Sequence, residues 1–301
     1  MMQTALHPTP RPASVLREQL RALGLALRAP AAAAAVLAAA MALLITLGIV
    51  EEGHRIDFYP ELSMLPAIAG FLLPLAVWWG EDRFGPGFLW TLPVDRRRHA
   101  LTRVCAGWMW LMAGVLCFVL WLLALALLTG GNLVGDQTVR VLPAAMTNVP
   151  MALDPAALRT VRWTPDPLLW LVPFTGATGT YLLASALALG VRHPLRWVTG
   201  VVLGFFLALG AIEGTKSLGL LKGATRVLNA VFSGPYGIDA LLTARTESLH
   251  TVATLTSGQT VEVWHALPHT GQWAAATLLW AAAGLAALWA AASRHGERRR
   301  G

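Results

Sequence analysis

The chain has 301 residues, 56% of them hydrophobic and 13% charged, with a formal net charge of +7. Soluble domains carry about 25% charged residues, so a composition at half that level excludes an independent water-exposed enzyme domain and suits a surface turned to hydrocarbon. The cations gather beside apolar runs instead of forming a basic patch interleaved with aromatics, so the charge points to membrane orientation and anionic headgroups, with no nucleic acid as partner.

In chain order, the first element is Ser14–Arg28. Leu16, Leu20, Leu23 and Leu27 are spaced by four, three and four residues and share one helical face. Arg17, Arg21 and Arg28 cluster opposite them, and Ser14 is a candidate N-cap. Such an amphipathic helix is expected to lie at the membrane surface, either as an anchor alone or as an element that also touches a cytoplasmic partner.

Six apolar stretches follow, at about 31–50, 62–80, 104–128, 168–190, 197–212 and 273–292. A helix crossing about 30 Å of hydrocarbon needs about 17–25 residues, which makes the fifth stretch the shortest candidate. The first is too long for the apolar core of a cleavable signal and reads as a retained span. Pro66, Pro74 and Pro173 should kink helices or mark their ends. Gly200 and Gly204 form a GxxxG on the fifth stretch, and Gly176 and Gly179 lie in TGATGT on the fourth. Residues this small let helix backbones approach closely. Cys105 and Cys117 lie on the third stretch, about 18 Å apart along a helix, too far to bridge.

Segment 81–103, between the second and third stretches, reads EDRFGPGFLWTLPVDRRRHALTR. Phe88, Leu89, Trp90 and Leu92 make a short apolar patch, Pro93 breaks the chain, and Asp95 can cap a helix opening on Arg96-Arg97-Arg98 and continuing into the third span. Three arginines oppose the dipole at a helix N-terminus, so they serve topology, headgroups or a partner. The apolar cluster beside them should bury itself in lipid or in another protein.

Two long connections remain, 129–167 and 213–272. Thr138–Val141 and Thr160–Trp163 alternate in the first. Thr251–Leu255 and Thr260–Trp264 flank a Ser257-Gly258 turn in the second, which predicts a hairpin. Ser217–Phe232 carries apolar residues at helical spacing and reads as an interfacial or re-entrant helix. The expected fold is therefore an all-α polytopic membrane domain with six transmembrane helices, an N-terminal interfacial helix and small strand-containing outer loops.

Six spans put both termini on one side. That side, with connections 81–103 and 191–196, carries fifteen of the Lys and Arg residues, against eight on the other. Both termini and segment 81–103 are therefore expected in the cytoplasm. No Asp, Glu, Lys or Arg falls in the middle of a span, which argues against an ion-driven transporter. There is no HExxH, and the one approach to a phosphate-binding loop, Gly210–Ser217, has the wrong spacing. His265 and His269 flank Pro268 in an outer loop and read as a solvated or loop-packing pair, not a metal site.

The element Thr91-Leu92-Pro93-Val94-Asp95-Arg96, with Glu81 and Gly87 upstream, resembles the cytoplasmic Leu-Pro-Val-x-Arg element of permease subunits of type-2 ABC exporters. Asp95 stands where that family commonly has Ser; both are helix caps. The resemblance extends to six spans, an N-terminal amphipathic helix and the chain length. It implies a coupling helix that docks on a separate ABC ATPase, with Phe88, Leu89, Trp90, Leu92, Pro93, Arg96 and Arg97 as docking candidates. It also implies a second permease copy or homologous permease, in the cytoplasmic membrane of a prokaryote. No cofactor is expected on this chain; ATP and magnesium belong to the ATPase. A non-transporting membrane scaffold or assembly factor is the competing reading. An intramembrane enzyme has no residue constellation to support it. The residues do not identify a cargo.

Overall fold

The computed structural model describes residues 12–53, 60–78, 96–131, 136–143, 153–200, 203–204, 207 and 222–297. Helix α1 spans Pro12–Ala26 and α2 spans Arg28–Glu51. The break at Leu27 has a local cause. Pro30 has no N–H to give the carbonyl of Ala26, so the helical ladder is interrupted there. Arg28 therefore opens α2, a correction to its expected place on the amphipathic helix.

Pro60–Ser63 forms a 3-10 turn that leads into α3, Met64–Val77. Pro66 falls in the first turn, where its missing N–H costs little, and Pro74 lies inside the helix near its end. Helix α4, Arg96–Thr129, runs 34 residues without a break. Another 3-10 turn, Pro167–Leu171, is capped by Asp166, whose carboxylate accepts from the Leu168 N–H at 2.9 Å, and it leads into α5, Val172–Gly190. After α5 the chain turns into a helix described at 194–200 and at residues 203, 204 and 207. The rest of the expected fifth span lies outside the described residues. Next come α6 (Lys222–Phe232), α7 (Ile238–Thr243), α8 (Thr246–Leu249) and the long α9 (Thr270–Glu297).

Among the described residues, four helices are long and apolar enough to cross a membrane: Ala31–Glu51, Arg96–Thr129, Pro167–Gly190 and Thr270–Arg294; α3 is apolar but shorter. The described residues thus form a predominantly helical, membrane-embedded protein. No residue of 31–51 is fully buried, and α2 exposes Val36, Leu37, Leu43, Leu44 and Leu47, the apolar character of a helix with most of its surface turned to lipid.

α5 is the centre of the bundle. α3 and α9 pack along it in the same direction: Thr180 donates to the Ala67 carbonyl at 2.9 Å, and Gly284 meets Leu182. α4 packs against it antiparallel, the Tyr181 hydroxyl donating to the Val104 carbonyl at 2.8 Å and the Trp108 indole to Thr178 Oγ1 at 3.1 Å. Val77, Val104, Tyr181, Leu189 and Leu288 lie in the resulting core.

This packing sorts the helix termini into two ends. At one end sit α1, the end of α3, the start of α4, the end of α5 and the end of α9. The other end carries a four-stranded sheet ordered β2-β1-β4-β3, with β1 Gln137–Val141, β2 Arg159–Trp163, β3 His250–Thr254 and β4 Thr260–Trp264. Two antiparallel hairpins meet through a parallel pairing of Val141 with Trp264. The β3–β4 turn needs the glycine, since Gly258 has φ +81°. Tilted rings of Trp163 and Trp264 stack 5.7 Å apart beneath the sheet.

Below the sheet, α7 wedges onto α5 and α9. Its Leu242 carbonyl accepts from the Ser63 hydroxyl, which ties the start of α3 to the same end. Ala244 and Arg245 follow with φ of 51° and 68°, a left-handed reversal held by the burial of Ala244 and by Arg245 donating to Gln272 Oε1 at 3.0 Å.

Candidate functional site

The basic end gathers the functional candidates. α4 rises about 51 Å over its 34 residues, well beyond about 30 Å of hydrocarbon. Its apolar run begins near Val104, so the overshoot falls on the arginine-bearing first two turns. Arg96, Arg97 and Arg98 form its first described turn; Asp95, expected to cap it, lies outside the described residues. Phe88, Leu89, Trp90, Leu92 and Pro93, in segment 79–95, lie outside the described residues.

Three elements close around those two turns. Arg103 reaches back to the end of α3, donating to the Val77 carbonyl from Nε at 3.1 Å and from Nη2 at 2.6 Å. Its guanidinium also stands 5.1 Å from the Trp78 ring. Val77 is the last residue of α3, so a cation here satisfies a terminal carbonyl and complements the negative end of the helix dipole. Arg97 turns the other way and lies 3.3 Å from the centre of the Trp289 ring on α9. Face-on guanidinium–indole contacts are attractive through the ring quadrupole. Arg96 is half-buried, and Arg98 is exposed.

The third element is α1. Leu23 is buried in the bundle core, and Leu16, Leu20 and Leu27 pack against it. The leucine face read from the sequence thus meets the chain's own α4. Gln19 Nε2 lies 3.4 Å from His99 Nδ1, and the Trp110 indole donates to the Leu20 carbonyl at 3.3 Å. Trp110 also covers Gly24, where a methyl group would come within 3.1 Å of Cζ2. Arg17 and Arg21 point outward, exposed, as does Arg28 at the start of α2.

The glycines expected at helix contacts fall into two groups. Gly176 and Gly179 are buried, and both face α7: a methyl group there would sit 3.2 Å from Leu242 Cδ2 and 2.9 Å from Leu241 Cδ2 respectively. Gly200 and Gly204 are exposed with nothing within 4 Å. The closest approaches occur elsewhere. At Gly70 a methyl group would collide with the Ala177 carbonyl and sit 2.6 Å from Thr180 Oγ1; at Gly107 it would collide with the Tyr181 hydroxyl; at Gly284 it would lie 2.8 Å from Leu182 Cβ. The sequence signal for these was a single glycine inside an apolar run.

Among the described residues, no group of three or more His, Cys, Asp or Glu could hold a metal ion. His269 has a local role, its Nδ1 accepting from the Gly271 N–H at 3.1 Å in the first turn of α9. Chemically, the basic end is equipped to hold helices together. No protein-family model, curated protein or solved structure matches the chain.

Proposed function

We propose that this chain is the permease subunit of an ABC-type exporter, with both termini and segment 81–103 in the cytoplasm of a prokaryote. On this reading a separate ATPase docks on Phe88, Leu89, Trp90, Leu92 and Pro93, and two permease copies move against each other as it turns over. The observation that carries the reading is the unbroken continuation of α4 through its arginine-bearing first turns, joined there to α3, α9 and α1. A displacement applied just before Arg96 is thereby passed to a membrane-length lever, which is what a passive permease driven from outside itself requires.

The sorting of helix ends adds support for six crossings. α5 finishes at the basic end, where Gly190 lies beside Ala291, whereas α9 begins at the sheet end beside Val172. The chain between them must therefore traverse the bundle once, and the apolar helix opening at residue 194 is the segment able to do it.

Affinity purification from native membranes tests the reading. Recovery of a Walker-motif ATPase near one to one supports an exporter, and recovery of the chain without one supports a scaffold. Trp90→Asp is expected to abolish that recovery and leave the thermal midpoint of the chain unchanged. Undiminished ATPase recovery by this variant removes the docking role of Trp90.

A further inference from the structure

We propose that Arg97 is a positioning residue, clamping the start of α4 to the end of α9 so that movement of the segment before Arg96 is delivered to both helices. The inference rests on the ATP-driven reading above and refines it, because it takes Arg97 out of the surface that meets the motor.

The geometry separates the two roles. A docking arginine presents its guanidinium to the partner, but that of Arg97 lies 3.3 Å from the centre of the Trp289 ring, on its own chain. The neighbouring clamp differs in kind. Arg103 grips the Val77 carbonyl with two donors and so fixes α4 to α3 through backbone. On α9 the contact is made with a side chain, the indole of Trp289. Farther along, α9 is held to α5 by the close approach of Gly284 and Leu182, and beside Trp289 it meets α5 again where Ala291 lies against Gly190. A pull at Trp289 therefore displaces the end of α9 together with the end of α5 packed against it.

The test uses reporter cysteines in a Cys105→Ala, Cys117→Ala background, labelled with a water-soluble maleimide in permeabilised cells. Ser293→Cys reports on α9, one turn beyond Trp289, and Thr102→Cys reports on α4. In the otherwise unchanged chain, a non-hydrolysable ATP analogue is expected to alter labelling at both positions. With Arg97→Gln the response should persist at 102 and vanish at 293, and basal labelling at 293 should rise about fivefold, the scale of one solvent-accessible cation–π contact. Arg97→Lys, which keeps the cation, should restore the response at 293.

Basal labelling also tests the contact without nucleotide. Trp289→Leu should raise it as much as Arg97→Gln does, and the double variant should exceed neither. Multiplying effects in the double variant overturn the contact. A nucleotide response retained at 293 in Arg97→Gln overturns the relay. Loss at both positions makes Arg97 part of motor docking and overturns it equally. No response at either position in the unsubstituted chain overturns the ATP-driven reading, and this inference with it.

Discussion

Gly107 and Tyr181 form a pair whose coupling can be worked out from the structure. Tyr181 is fully buried on α5, and its hydroxyl donates to the Val104 carbonyl of α4 at 2.8 Å. Gly107, one turn further along α4, leaves the space that this hydroxyl occupies. Gly107→Ala gains about 1 kcal/mol of helix propensity. It also drives a methyl group into the hydroxyl oxygen, and overpacking of this kind costs about 1–3 kcal/mol. The net effect is a loss of about 0–2 kcal/mol, or a thermal midpoint lowered by up to roughly 8 °C for a chain of this size.

Tyr181→Phe removes the obstructing atom. It costs about 1 kcal/mol for the lost hydrogen bond, because the Val104 carbonyl keeps its place in the helical ladder. The nearest atoms to a methyl group at 107 are then Val77 Cγ2 at 3.1 Å and Tyr181 Cζ at 3.4 Å, both able to give slightly. In the Phe background, Gly107→Ala should therefore be neutral or stabilising by up to about 1 kcal/mol. The assay is thermal unfolding of the detergent-solubilised chain, read by fluorescence-detected size exclusion, for the two single variants and the double. An equal fall in midpoint on adding the methyl group in both backgrounds would refute the packing argument.

Two further outcomes follow from named contacts. Gly70→Ala should lower the midpoint more than Gly107→Ala and resist rescue, because its methyl group meets the Ala177 backbone carbonyl; Gly200→Ala should shift it by no more than the roughly 0.5 kcal/mol typical of open sites. The reverse order of the two midpoints would contradict the assigned helix contacts. At the sheet, the Thr164 hydroxyl, and after it the Arg162 guanidinium, holds the Asp136 carboxyl below its ordinary 3.8. A folded-state value that is lowered gives stability present above the ordinary value and lost as pH falls through the folded one. Hydrogen exchange of the β1 and β2 amides should accelerate, after correction for intrinsic rates, between pH 5 and pH 3, and Asp136→Asn should remove that dependence; the same pH dependence in both proteins would dismiss the carboxylate as its source.

What the sequence disclosed, and what it withheld, follows the range of the interactions. The passage of one helix from Arg96 into the third span was legible in the apolar run that follows the arginines, and the β3–β4 hairpin was legible in its Ser257-Gly258 turn. The parallel junction of β1 with β4 was not, since it brings together residues 141 and 264 with no local signature. The leucine spacing of α1 showed an apolar face but not what covers it, and the answer, α4 with Trp110, is a tertiary fact. GxxxG at Gly200 and Gly204 shows that two glycines share a face; it does not supply a neighbouring helix. Gly70, Gly107 and Gly284 have neighbours and no motif. Arg97 and Arg103 were visible as charge, but their aim at Trp289 and Val77 depends on how three helix ends are brought together.

The central claim is that a cytoplasmic motor pushes this chain through the segment before Arg96. Replacing Trp90 with a photoreactive benzoylphenylalanine and irradiating living cells tests it at the point of contact. The account predicts a single major adduct with a Walker-motif ATPase. Adducts confined to lipid, or to proteins on the outer side of the membrane, would contradict it.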